Sequence, residues 1–211
     1  MRRLALLAAL LAGTAAVAPA ADLGTVEGRW PMRDLEEVRV EFPVGELVLE
    51  ATDETELRAR LGVECRRGRE SCIERSKRLK LVTHVAGRTR HLRLEGMPKF
   101  GSHGLEVTLH IAIPKALTTE IEMGVGSLRV EGMTRDVRVE LGVGDVNVLM
   151  RESDVNSVHL TVGVGDATLR HPGHAQAVSG LLGRKVRWSD GTGPAHVNVD
   201  LGVGDIDVRL D

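Results

Sequence analysis

Three copies of the tetrapeptide Gly-Val-Gly-Asp carry the most regularly spaced acidic side chains in this 211-residue sequence. Their aspartates are Asp145, Asp166 and Asp205, and two variant copies have Ser127 and Glu46 at the same place. If the copies stack on one another, these residues form an acidic ladder along one edge, and such a ladder can bind calcium through its carboxylate oxygens. The alternative is that each Asp accepts a backbone N–H of its own turn. Turn capping is favoured, because the nine-residue repeat of calcium-binding β-helices is absent.

A basic segment between residues 66 and 93 is a second candidate for binding. It contains ten Lys or Arg and two Glu, so its local charge is +8 in a chain with a net charge of −2. Such a concentration of charge favours a polyanion, such as envelope phosphates or an acidic glycan. The alternative is a solvated face that pairs with acidic residues elsewhere. The predicted polyanion-binding residues are Arg66, Arg67, Arg69, Arg75, Lys77 and Arg78.

The sequence predicts no catalytic residue and no cofactor other than a calcium ion on the ladder. His171 and His174 are three apart, but a metal site needs a third ligand that the sequence does not show. There is no Gly-x-Ser-x-Gly elbow and no phosphate-binding loop, and the Gly-Val-Gly motifs lie between strands rather than before helices. Aromatic residues make up 2% of the chain, which disfavours sugar stacking, and the net charge argues against nucleic acid.

The N-terminus has the layout of a cleaved secretory signal. Arg2 and Arg3 precede an apolar run, which ends at the small-residue site Ala18-Pro19-Ala20. We therefore expect residues 1–20 to be removed, leaving a periplasmic or secreted domain at 21–211 without a membrane span. The alternative is an uncleaved anchor. In an oxidising compartment, Cys65 and Cys72 are expected to form one disulfide.

Alternating apolar residues surround each glycine motif. Around Gly144 they are Val137, Val139, Leu141 and Val143, and then, shifted by one position, Val146 and Val148. A shift at a glycine is typical of a bulge or corner. The predicted corner glycines are Gly45, Gly126, Gly144, Gly165 and Gly204. From Gly126 onward the spacings between corner glycines are 18, 21 and 39 residues. The last spacing is about double the two before it, which predicts a hidden copy at Gly183 that would place Arg184 in the ladder.

A period of about 20 residues predicts an all-β, single-domain solenoid whose coils bury their valines by stacking. Residues 52–118 interrupt the series, and we expect them to form an antiparallel, strand-rich cap that includes a short charged helix. Residues 119–211 would form regular coils. The strand that ends near Asp211 would then expose an open edge, which could pair with a second copy.

Several of these motifs also resemble a known group. Ile111-Ala112-Ile113-Pro114, Gly124–Ser127 and Val130-Glu131-Gly132, followed by serial Gly-Asp corners, resemble the bacterial exported putative-adhesin family of unknown function. The resemblance covers residues 35–211 and implies a β-solenoid domain. It carries over no catalytic residue, because that family has none agreed.

Together these features predict a non-enzymatic, exported cell-envelope protein that acts as an adhesin-like binding or structural module. Its partner would be an envelope protein or an anionic envelope polymer. The alternatives are a carbohydrate-active enzyme on a β-helix scaffold and a calcium-stabilised solenoid.

Overall fold

The computed structural model describes residues 21–65, 70–97, 104–180 and 183–211. The predicted signal at 1–20 lies outside the described residues, and so do Arg66, Arg67 and Arg69. Within the described ranges, no helix is long and apolar enough to cross a membrane.

The described chain is all-β, as predicted, apart from one short helix and a 3-10 turn at Glu152–Asp154. The strands belong to one mixed sheet and enclose one hydrophobic core, so the chain is a single domain. The elements are β1 (Ala21–Pro31), β2 (Glu37–Thr52), β3 (Glu56–Cys65), α1 (Glu70–Ser76), β4 (Lys80–Ala86), β5 (Thr89–Glu95), β6 (Leu105–Pro114), β7 (Thr118–Glu131), β8 (Val137–Met150), β9 (Val155–His171), β10 (His174–Gly180), β11 (Arg184–Trp188) and β12 (Ala195–Leu210).

Five long strands form a parallel stack in the order β2-β7-β8-β12-β9. The equivalent positions of the repeated motif fall in register, so that Gly144 of β8 pairs with Gly126 of β7 and with Gly204 of β12. Each strand has a first arm before the glycine motif and a second arm after it. Apolar side chains from both arms enter the same core, which includes Val139 from one arm and Val148 from the other.

The glycine motif changes which side of each strand faces the core. In β8, Leu141 is buried before the motif and Val146 after it, which confirms the shift of phase. Val143 was predicted to face inward, but it is 46% exposed, because the corner between the two glycines turns it away from the core. The same correction applies to its equivalents. The exposed valine row, 39–47% exposed, consists of Val125, Val143, Val164 and Val203.

Close stacking explains why both positions of the motif are glycine. A Cβ atom on Gly142 would lie 2.6 Å from the backbone oxygen of Gly124 on the neighbouring strand. A Cβ on Gly144 would overlap the backbone oxygen of Gly126. Gly144 also has a φ of +141°, a backbone conformation that residues other than glycine rarely adopt. The corner therefore excludes larger residues for two independent reasons.

At one end of the stack, β5 and β6 pair in parallel with β2 and pair antiparallel with further strands. Strand β5 extends the first arm of β2 and pairs with β4, whereas β6 extends the second arm and pairs with β3, which pairs with β1. The charged piece that follows β3 contains the helix α1. The predicted disulfide joins Cys65 at the end of β3 to the buried Cys72 of α1, with their Cα atoms 6.0 Å apart.

The other end of the stack differs from the sequence prediction in two ways. The hidden copy at Gly183 is wrong: residues on either side of it form β10 and β11, which run antiparallel to β9. The open edge at the end of the sequence is also wrong, because β12 lies between β8 and β9 and is paired on both sides. The alternation of apolar and polar residues in β12 matches that of β8 position by position. Between β8 and β9, the valines of β12 pack against a neighbouring strand on each side.

Candidate functional site

A groove of about 830 Å³ crosses the stack beside the corner, at the end of the first arms. Four apolar residues from adjacent strands border it, but their side chains belong to the hydrophobic core and are at most 5% exposed: Phe42, Met123, Leu141 and Leu201. Three glycines also line it: Gly124, Gly142 and Gly202. Because these glycines have no side chains, they leave open space on the exposed face of the strands.

One side of the groove is acidic. Glu41, Glu122, Glu140 and Asp200 occupy equivalent positions on β2, β7, β8 and β12, and Thr161 holds that position on β9. We call these four carboxylates the acid row. Neighbouring strands lie about 4.8 Å apart, so the backbone places one carboxylate at each step along the stack.

Among the described residues, the arginines that approach the acid row lie at its β2–β7 end. Arg93 of β5 approaches Glu41 at 4.0 Å, and Arg39 of β2 approaches Glu122 at 3.8 Å. The stronger partner of Arg39 is Glu120, to which it donates a hydrogen bond across the β2–β7 pair. This hydrogen bond raises the pKa of Arg39 and lowers the pKa of Glu120.

The other end of the acid row keeps its charge. Within the described part of the chain, neither Glu140 nor Asp200 forms an ion pair, and both are exposed. These two residues face each other in register on β8 and β12. Like charges that lie opposite each other on neighbouring strands destabilise a sheet, so this pair is an unfavourable arrangement in the free protein.

The acidic ladder predicted from the sequence lies on the other side of the corner. Its members follow one another across the stack in the order Glu46, Ser127, Asp145, Asp205, Asp166. The predicted capping is wrong for Asp205, whose carboxylate accepts the backbone N–H of Asp166 on the neighbouring strand at 3.0 Å. Arg184 pairs with Val162 and is not in the ladder. Among the described residues, no three His, Cys, Asp or Glu side chains are grouped closely enough to hold a metal ion.

The basic segment is divided between several elements. Arg75 lies in α1, and Lys77 and Arg78 follow it on the surface. The Lys77 ammonium lies 2.6 Å from Glu74, and this hydrogen bond lowers the pKa of Glu74.

Arg90, which the sequence places in the same basic segment, is a buried structural residue. It is 9% exposed and donates hydrogen bonds to the carbonyl of Pro31 at 3.2 Å and the hydroxyl of Thr83 at 3.1 Å. Burial lowers the pKa of Arg90. The segment therefore presents less charge to solvent than its composition suggests.

Among the described residues, the contact between Ser157 and His196 comes nearest to a catalytic constellation. The Ser157 hydroxyl lies 2.8 Å from Nδ1 of His196. The nearby carboxylate of Asp136 accepts the backbone N–H of His196, at 2.9 Å, rather than an imidazole N–H. A triad needs the acid on the imidazole, so this arrangement does not form one.

Sequence reasoning missed the acid row, although a signal for it was present. Counting four residues back from each corner glycine gives Glu, Glu, Glu and Asp in four of the five strands. The acidic residue inside the Gly-Val-Gly-Asp motif was more conspicuous, and only the structure shows that the earlier position lines a groove.

Comparisons with known proteins concern the fold. No model of a known protein family matches the sequence, and no curated protein matches it. The chain is similar to the crystal structure of a putative cell adhesion protein from Clostridium sporogenes: 15% identity over 89% of this chain and 100% of that one, with a TM-score of 0.55. A putative adhesin from Bacteroides fragilis aligns over 88% of this chain and 97% of its own, with 11% identity and a TM-score of 0.26. A putative lipid binding protein from Parabacteroides distasonis aligns over 89% and 97%, with 11% identity and a TM-score of 0.25.

Proposed function

We propose that this chain is an exported, non-enzymatic binding module of the cell envelope, adhesin-like in character, whose binding surface is the groove beside the corner. The observation that carries the proposal is the groove itself, with an acidic side and a row of glycines built from equivalent positions of adjacent strands. The fold likeness to a putative cell adhesion protein and the disulfide Cys65–Cys72 support it.

The lengths of strands and connections support a solenoid. Strand β7 has 14 residues and would extend about 46 Å if it were straight. Yet β7 and β8 pair in parallel and in register, and only residues 132–136 join them, which span about 20 Å at most. Each strand must therefore bend until its ends approach, and the glycine corner allows that bend.

Hydrogen bonds made by the connection between β7 and β8 support the same arrangement. The Thr134 N–H donates to the carbonyl of Lys115, in the preceding connection, at 3.1 Å, and the Gly132 N–H donates to the carbonyl of Leu149, near the end of β8, at 2.9 Å. This connection therefore lies against the preceding one and against the end of β8. A groove built on such a stack keeps its shape before a ligand arrives, which reduces the entropy lost on binding.

A carbohydrate-active enzyme is the second candidate, because carboxylates along a groove are what glycoside hydrolysis requires. Two features favour binding instead. Glu140 and Asp200 are exposed, whereas a general acid is usually held in a dehydrated pocket. The aromatic residue that lines the groove is Phe42, which is 1% exposed and offers no face for a sugar ring to stack on.

Site-specific photocrosslinking in intact cells tests the proposal. A crosslinker replaces Thr161 in the groove, and the control position is Arg129 on the second arm of β7. We expect a discrete envelope adduct from position 161 only, and we expect Glu140→Lys with Asp200→Lys to abolish it. Equal adducts from both positions, or none, would overturn the proposal. Hydrolysis of an envelope glycan by the purified domain, lost in the same double variant, would replace binding with the enzymatic alternative.

A further inference from the structure

We infer that the groove takes an extended peptide segment in which basic and apolar residues alternate. The inference rests on the proposed binding function of the groove and names its ligand. Three properties of the groove carry it: its length, its charge and the apolar surface beside the acid row.

The length of the groove suits a short extended segment. Its lining residues run from Arg93 on β5 to Thr161 on β9, which are six strands apart counting both ends. Five spacings of about 4.8 Å give about 24 Å, the length of about seven residues in a β-strand. A single sugar or a divalent ion would occupy only a fraction of this length.

The charge of the groove selects a cationic ligand. Four carboxylates stand in register, and within the described residues Glu140 and Asp200 lack a cation. Their mutual repulsion weakens the β8–β12 pair in the free protein, and a Lys or Arg side chain placed between them would relieve it. The same charge repels phosphate-rich and acidic polymers from this surface.

Exposed apolar surface beside the acid row favours an amphipathic peptide over a simple polyamine as the ligand. Met123, Leu141 and Leu201 border the groove, but their side chains are at most 5% exposed, so the apolar surface open to a ligand is the exposed valine row, which follows directly after the lining glycines in sequence. A chain of amines would neutralise the carboxylates but leave the valine row in water. In an extended peptide, successive side chains point to opposite sides, so basic residues can reach the acid row while apolar residues contact the valine row.

Peptide binding to the purified domain tests the inference. The probe is fluorescein-labelled Lys-Val-Lys-Val-Lys-Val-Lys, titrated by anisotropy at 50 mM salt against residues 21–211. We expect Glu140→Gln with Asp200→Asn to weaken binding about tenfold, as the loss of two ion pairs would. The matched control, Asp145→Asn with Asp166→Asn, removes the same charge on the other side of the corner and should change affinity less than about twofold.

Further measurements keep the inference falsifiable. The Glu140→Gln, Asp200→Asn variant should fold and melt at or above the temperature of the original protein, because a repulsive pair is removed. Absence of peptide binding, equal weakening in both double variants, or spermine binding as tightly as the peptide would each overturn the inference. If the crosslink from position 161 persists in cells while the peptide fails to bind, the ligand class is wrong and the binding function stands. If both fail, the binding function is wrong as well.

Discussion

Two sets of carboxylates run across the same strands, one on each side of the glycine corner. The acid row before the corner lines a groove that also includes three glycines, whereas the ladder after the corner is exposed and includes a hydrogen bond from the Asp166 backbone to Asp205. Both come from one repeated pattern and have the same backbone spacing. Their difference shows that a periodic sequence supplies rows of identical groups, and that the shape of the bend decides which row can enclose a ligand.

Of the substitutions considered, one that disrupts the glycine corner should lower the free energy of unfolding the most. Gly144→Ala introduces a Cβ that overlaps the backbone of Gly126 at a φ of +141°. We expect the free energy of unfolding to fall by about 3–5 kcal/mol, or the domain to fail to fold. The control is Gly87→Ala, at a φ of +61° with open space around it, which should cost only about 1–2 kcal/mol. Equal losses in thermal denaturation would contradict this account of the corner.

Substitutions of Leu141 and Val143 should distinguish an effect on stability from an effect on peptide binding. The Leu141 side chain is buried in the core, so Leu141→Ala should lower the free energy of unfolding by about 3 kcal/mol. Val143 is half exposed, so Val143→Ala should lower the free energy of unfolding by less than about 1 kcal/mol. It should still lower the affinity for the peptide. Urea denaturation and anisotropy together check this. A Val143 variant that binds the peptide unchanged would remove the valine row from the binding surface.

The Arg39–Glu120 pair ties the first arms of β2 and β7 and should make the stability depend on pH. The hydrogen bond from Arg39 lowers the pKa of Glu120 below its usual 4.5, so this stabilisation is fully present above that pH. It is lost as the pH falls through the lower pKa of the folded state. Glu120→Gln should remove about 1 kcal/mol at pH 7 and flatten the acid limb of a melting-temperature profile. An unchanged profile would show that the pair contributes nothing.

The smallest expected effect distinguishes members of the ladder. Asp205→Ala removes the acceptor of the Asp166 N–H and should cost about 0.5–1.5 kcal/mol. The carboxylate of Asp145 accepts no hydrogen bond from the described residues, so Asp145→Ala should stay within about 0.5 kcal/mol. Guanidinium denaturation of the Asp205→Ala and Asp145→Ala variants measures this difference in the free energy of unfolding. Identical values would mean that the ladder has no structural tie between strands.

The sequence was informative wherever local pattern decides structure. Alternating valines and a shift of phase at glycine indicated strands with corners, and the spacing of two cysteines indicated the disulfide. Position in the stack is a long-range property, and the pattern around Gly183 could not show that β10 and β11 pair antiparallel with β9. The acid row escaped notice for a related reason. An exposed Glu on an alternating strand looks the same whether it faces bulk water or a groove.

The place of β12 has a consequence for how the domain folds. Strands β8 and β9 follow each other in the chain with a short connection, yet β12 lies between them in the sheet. Because all three share one pattern, β8 and β9 can first pair with each other in a register that resembles the native one. Such a pair would have to open before β12 could enter, so we expect it to slow correct assembly. The repetition that makes the stack regular therefore also permits a wrong order of strands.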